Sequence, residues 1–298
     1  MTGLYHHLVI GLSGTSLTDE ERRWLRDHPP LGIILFARNI ETPAQVSSLL
    51  SEVRQCTSQP TWAAIDEEGG RVNRMPWPPF SNRKQAAEFG HLYRDKPEAA
   101  KSRVYDDAHT VGSALKKLGF THDCAPVLDV FHARGNTVIG DRAYSPDVNV
   151  VADLGAACIR GLHAAGIEAI GKHFPGHGRA DADSHLTVPH VDAPLSELLQ
   201  EAVPFKSSIE QGLNHIMTAH VVYEKADVNV ATLSDFWLKD VLRSRFGFDG
   251  KIWSDDLCMK GVGANVLSAA RGAMSAGCDV LLVCEPDQVA EVYRDSED

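Results

Sequence analysis

Lys172-His173-Phe174-Pro175-Gly176-His177-Gly178, with Asp183-Ser184-His185 five residues further on, places a lysine, three histidines and an aspartate on one short stretch. The apolar run 166–170 leads into it, so the polar cluster sits where a buried strand ends. Pro175, Gly176 and Gly178 then force a tight, irregular loop rather than a helix. Imidazoles, with a reference pKa of roughly 6.5, suit proton transfer near neutral pH. Asp183, two residues before His185, can orient the ring and stabilise an imidazolium, as the carboxylate does in a Ser-His-Asp triad. On spacing alone, Asp183 and Ser184 serve equally well as turn caps, with His185 in solvent.

Further charged groups cluster elsewhere. Asp66-Glu67-Glu68-Gly69-Gly70-Arg71 has Arg74 one turn on; Asp129, Gly140-Asp141-Arg142, His220 and Ser254-Asp255-Asp256 follow. Lys172 and His173 close a buried run, where an unpaired charge is costly, so they need partners, which ligand hydroxyls or an ion pair with Asp66 can supply. Arg74 and Arg142 can grip hydroxyls or a carboxylate in fork geometry, as many surface arginines also do. Asp255 and Asp256 are adjacent, so on a continuing strand only one faces inward, and periodicity alone does not choose. Trp77 and Trp253 are candidates for stacking on a ligand ring, and His177 is a candidate for ordering the loop or contacting ligand, with no catalytic role.

The elements that must position these groups alternate along the whole chain. Short apolar runs at 7–12, 32–36, 61–65, 123–130, 168–173, 215–220, 251–254 and 279–284 read as strands. Helices are expected at Asp19–Asp27, Pro43–Cys56 and Pro97–Leu118, then at 149–165, 195–211, 235–246, 263–276 and 288–293. Thr18, Thr42 and Ser234 supply start signals. The stretch 71–96, rich in proline and aromatics, reads as one long irregular insertion. Continuous apolar strands suit a parallel sheet covered on both faces, and eight strand–helix units fit a single-domain (β/α)8 barrel spanning 1–298. A doubly wound open sheet is the rival. In a barrel, five successive strand ends would deliver the charged groups to one mouth.

The 298-residue chain is 43% hydrophobic with 7% aromatics, ample for a globular core. A formal charge of −11 and the lack of a Lys/Arg block argue against nucleic-acid binding. Six scattered cysteines without a CxxC pair read as free thiols of a reducing compartment. No signal-peptide or membrane-span pattern stands out, so no membrane association and a cytoplasmic, monomeric protein are the expectation.

The opening motif resembles the signature of family 3 glycoside hydrolases, and its Asp-Ser-His extension resembles their β-N-acetylglucosaminidase branch. The resemblance continues through Ile34-Leu35-Phe36-Ala37-Arg38-Asn39, the 66–74 stretch, Ala125-Pro126-Val127-Leu128-Asp129-Val130, the 140–144 stretch, Gly247-Phe248-Asp249-Gly250 and Ser254-Asp255-Asp256-Leu257. In order and spacing these are similar to the single-domain bacterial members that act in peptidoglycan recycling. The resemblance implies a (β/α)8 barrel and a carbohydrate substrate, with retaining removal of N-acetylglucosamine from 1,6-anhydro-N-acetylmuramoyl fragments. It implies Asp255 as nucleophile, His185 as general acid/base and Asp183 as its partner. Asp66, Arg74, Arg142, Lys172 and His173 match sugar-binding positions. No cofactor and no metal are implied. Glu67 departs from the family, whose members often carry Gln there, and a short C-terminal end replaces a longer helical tail.

Three other readings compete. A metal hydrolase would use His173, His177, His185 and Asp183, yet they lie on a broken loop without an HExxH helix. A phosphorylase would let phosphate attack the same covalent intermediate. A non-catalytic sugar-binding protein would leave the filled catalytic positions unexplained.

Overall fold

Alternation along each short strand sorts the apolar residues into two cores. The computed structural model describes residues 4–295. Its strands are β1 (Leu8–Gly11), β2 (Gly32–Leu35), β3 (Trp62–Ile65), β4 (His122–Asp123), β5 (Glu168–Phe174), β6 (His190–Val191), β7 (His215–Thr218), β8 (Val222–Tyr223), β9 (Lys251–Trp253) and β10 (Leu281–Val283). Val9, Ile34, Ala64, Cys124, Ile170, Met217, Trp253 and Leu282 point to a common interior. Their strand neighbours, among them Leu8, Ile33, Ile65, Ala169, Ile216, Ile252 and Leu281, point outward and pack under the helices.

The parallel strand order is β10-β1-β2-β3-β4-β5-β7-β9. The ring closes between its ends: Trp253 bridges Val280, the Ser254 amide donates to Val280 O at 2.8 Å, and the Val280 amide donates to Ile252 O at 3.0 Å. This is the expected (β/α)8 barrel. At its N-terminal end, Trp62 stacks on Trp253 (5.7 Å between rings) and packs on His122 (4.6 Å), while Trp253 Nε1 donates to His215 Nδ1 at 3.0 Å. β6 and β8 lie outside the ring as a separate parallel pair, unforeseen in the sequence.

The helices are α1 (Asp19–Asp27), α2 (Pro43–Cys56), α3 (Ala86–Asp95), α4 (Pro97–Leu118), α5 (Val148–Ala164), α6 (Leu195–Glu201), α7 (Val203–Glu210), α8 (Val266–Ala276) and α9 (Pro286–Asp295). Thr18 and Thr42 cap α1 and α2 through their side chains, and Ser234 Oγ accepts from the Trp237 amide at 3.1 Å.

Four expectations change. The 71–96 insertion is irregular only in its first part; α3 follows, opened where the Gln85 amide donates to Glu88 Oε1 at 3.3 Å. The helix expected over 195–211 breaks at Ala202, because Pro204 has no N–H to continue the ladder. Residues Phe236–Arg245 form a wide helix, with the Phe246 amide reaching back five residues to Val241 O. The strand expected over 123–130 ends at Asp123. Beyond it Pro126 offers only a carbonyl, which the Lys172 amide uses at 3.1 Å, and pairing resumes at Val127–Lys172.

Candidate active site

The inward parity of the barrel carries past the strand ends. Phe36, Asp66, Lys172, Asp255 and Cys284 lie two residues beyond Ile34, Ala64, Ile170, Trp253 and Leu282, and all five line one cavity of ≈ 300 Å³ at the C-terminal mouth. Trp253 faces inward and Asp255 keeps its parity, while Asp256, beyond the end of the strand, lines the cavity as well. Arg74, Arg142, His173, Asp183 and His185 line the same cavity, bringing all eight expected site residues together.

One wall is a closed network of charge. Lys172 Nζ sits 2.7 Å from both Asp66 and Glu68, and is almost wholly buried. Arg142 clamps Glu68 with two bonds of 2.7 and 2.8 Å, and Arg74 reaches Asp66 at 3.3 Å. Burial pushes Asp66 and Glu68 upward, but Lys172 with Arg74, and Arg142 with Lys172, outweigh it and hold both below the ordinary carboxylate range. Lys172 is raised despite burial because two carboxylates face it. The wall is therefore fully ionised at neutral pH.

Asp129, with no exposure, organises the next strand end. It accepts from His173 Nδ1 at 2.7 Å and from the amides of His173 and His177 at 3.2 and 2.7 Å. This fixes the His173 ring with its Nε2 edge 3.5 Å from Arg142. The Lys172–His173 peptide is cis.

The adjacent aspartates differ. Asp256 Oδ1 accepts from the amides of Cys258 and Cys284, both at 3.0 Å, and burial raises its pKa. Asp255 Oδ1 accepts only the Asp256 amide, at 2.8 Å, and among the described residues Asp255 has no ion-pair partner. Burial pushes Asp255 up, yet His173, His220 and that amide outweigh it, leaving the group ionised. His220 does not line the cavity. It is buried behind, bonding Thr232 and the Asp256 carbonyl at 2.8 and 2.9 Å.

The His185 ring stands over the opening, 63% exposed, with Nδ1 2.7 Å from Asp183 Oδ1. The same oxygen accepts the His185 amide at 2.9 Å, and these bonds hold Asp183 down against its partial burial. Nδ1 thus carries the proton toward Asp183 and Nε2 is turned free. The turn-cap and imidazole-partner readings of Asp183 are both realised.

Glu68, Asp129 and His177, named among the polar residues of the sequence but given no site role there, belong to the site as well. Glu68 could have been found, since it shares the parity of Asp66. The tryptophan expectation fails: Trp253 is wholly buried in the barrel floor, and Trp77 packs against the outer core. Arg142 lines the cavity, but its fork is taken by Glu68. All six cysteines are free, and no helix among the described residues is long and apolar enough to cross a membrane.

Comparison with known proteins agrees with this geometry. Residues 8–295 match the glycosyl hydrolase family 3 N-terminal domain. The chain is 38% identical to a β-hexosaminidase of Thiobacillus denitrificans, over 95% of this chain and 79% of that protein, and 40% identical to one of Xylella fastidiosa, over 95% and 84%. NagZ from Neisseria gonorrhoeae, solved with N-trifluoroacetyl-D-glucosamine, superposes with a TM-score of 0.91 at 34% identity, covering 97% of this chain and 84% of that one. The chain therefore belongs to glycosyl hydrolase family 3, and it is a glycoside hydrolase.

Proposed function

We propose that the protein is a retaining β-N-acetylglucosaminidase that removes terminal GlcNAc from β-1,4-linked GlcNAc–1,6-anhydro-MurNAc fragments in cell-wall recycling. The observation that carries the mechanism is the contrast among the carboxylates of the cavity. Asp66 and Glu68 are neutralised by cations, and Asp256 takes two amides on one oxygen with its pKa raised by burial, whereas Asp255 accepts a single amide, has no ion-pair partner among the described residues and is held ionised. The names of the relatives, and the N-acylated glucosamine bound by the Neisseria protein, support the sugar.

In this reading the ionised Asp255 attacks the anomeric carbon as the glycosidic bond breaks. His185 Nε2 gives its proton to the departing oxygen while Asp183 steadies the Nδ1–H. The neutral imidazole then takes a proton from water, which displaces Asp255 and releases GlcNAc with its configuration retained. Asp66, Lys172, Arg74, Arg142 and His173 hold the sugar hydroxyls, and their mutual ion pairs fix them before substrate arrives.

The test is steady-state hydrolysis of an aryl β-N-acetylglucosaminide and of the matching β-glucoside. Cleavage of the acetamido sugar alone, with a loss on the order of 1,000-fold in Asp255→Ala, is expected. Near-normal turnover by Asp255→Ala would overturn the covalent mechanism. Free GlcNAc rather than its 1-phosphate is expected in phosphate buffer, and activity should survive a chelator. GlcNAc 1-phosphate would instead identify a phosphorylase.

A further inference from the structure

The loop bearing Asp183 and His185 lies in the open over most of its length. Asp181, His185, Leu186 and Thr187 are exposed, and Leu186 keeps 69% of its surface in solvent. One residue between them behaves differently. Ser184 is only 3% exposed, although it sits between the two members of the dyad. Its Oγ lies 3.2 Å from Nε2 of His177, and its carbonyl accepts the Gly261 amide at 2.8 Å.

Both anchors are buried. His177 is buried, and its amide is held by Asp129 at 2.7 Å. Gly261 is buried in the connection from β9 to α8, the segment that follows Asp255. A Cβ at Gly261 would fall 2.6 Å from the Ser184 carbonyl oxygen, so only glycine lets the loop seat there. Burial lowers the pKa of His177 to about 4, which keeps its ring neutral through the working range. Among the described residues, the remaining His177 nitrogen, Nδ1, is buried without a hydrogen-bond partner. Apart from its bond to Ser184, the ring therefore has no hydrogen bond to justify its burial beside the cavity.

We propose that Ser184 is the latch that holds the Asp183–His185 loop over the cavity, with His177 as its positioning residue and Gly261 as its seat. The inference rests on the reading of His185 as proton donor. His177 and Ser184 touch neither the bond being cleaved nor Asp255; they act by setting where the imidazole stands. Releasing the latch leaves the nucleophile and the sugar-binding wall intact and removes the donor from the leaving oxygen.

Leaving-group dependence separates these effects. A dinitrophenyl glycoside departs without protonation, whereas an alkyl glycoside needs the acid, whose contribution is typically about 100- to 10,000-fold. The readout is kcat/KM for both substrates in Ser184→Ala, Gly261→Ala, His185→Ala and the Ser184→Ala/His185→Ala double variant, each checked for an unchanged melting curve. Ser184→Ala and Gly261→Ala are expected to lose about tenfold or more on the alkyl glycoside and less than about threefold on the dinitrophenyl one. The double variant should be no worse than His185→Ala, because the latch acts through His185. Equal losses on both substrates in Ser184→Ala, or a full additional loss in the double variant, would overturn the latch while leaving the proton donor in place. A flat leaving-group response in His185→Ala would overturn the proton-donor reading, and this inference with it.

Discussion

The amide of Glu67 donates to the carboxylate of Asp123 at 3.0 Å, and both side chains are buried beneath the charged wall. Arg83 stands 3.8 Å from Glu67 Oε1, but its shorter contact, 2.8 Å, is with Asp107. Glu67 accepts only the Arg74 amide on its other oxygen. Out of phase with Asp66, it faces away from the cavity, where a neutral group such as Gln would suffice.

Burial accordingly raises Glu67 to about 8 and Asp123 to about 7, against unfolded values of 4.5 and 3.8. The folded state holds protons that the unfolded chain has lost. That stabilisation is complete below the unfolded values and disappears as pH rises through 7 to 8. Each retained proton contributes a slope of up to about 1.4 kcal/mol per pH unit. Glu67→Gln should flatten this decline and raise Tm at pH 8.5. Melting curves from pH 5 to 9 check it, and an unchanged slope would show that Glu67 is ionised in the fold.

The two adjacent aspartates should fail in opposite ways. Asp255→Ala is expected to abolish turnover with little change in Tm. Asp256→Ala strands two buried amides, at about 1–3 kcal/mol each, and should lower Tm markedly. Paired kinetics and calorimetry decide this. Equal behaviour of the two variants would dissolve the distinction drawn from their hydrogen bonds.

Lys172→Met removes the cation shared by Asp66 and Glu68. Each carboxylate keeps one arginine, so a loss of about 3 kcal/mol is expected, at the low end for a broken buried pair. Urea denaturation measures it. A stability equal to wild type would mean that the network serves binding alone.

The barrel floor sets the acid limit. Burial lowers His122 to about 3 and His215 to about 4, and a neutral His215 Nδ1 accepts the Trp253 N–H. Between these values and 6.5 the unfolded chain binds protons that the folded one refuses, so stability falls as pH drops through that window. His122→Phe should keep the ring stack and lose part of the acid dependence, as read from Tm between pH 4 and 7.

Much of this was legible from single residues. Inward Ala64 and Ile170 put Asp66 and Lys172 at the mouth, and the same count extends to Glu68, whereas the preference for Asp255 over Asp256 came from the family resemblance and not from periodicity. What resisted reading depended on partners far along the chain. The partner of Ser184 across the mouth is Gly261, 77 positions later, and no local pattern announces it. Helix α3 was hidden because Pro76, Pro78 and Pro79 precede it closely and Gly90 interrupts its apolar stripe. Gly90 is required there, since a Cβ would lie 1.7 Å from the Tyr144 carbonyl oxygen.

The ring closes between β9 and β10, and Asp255 is the second residue after β9. Its neighbour Asp256 takes one amide from each side of that join, Cys258 and Cys284. The candidate nucleophile therefore sits on the last edge of the barrel to be completed along the chain, and its setting exists only once residues 279–284 have been captured between β9 and β1. Turnover then reports the final act of assembly: during refolding, activity should return no earlier than full barrel closure, after most backbone structure has already formed.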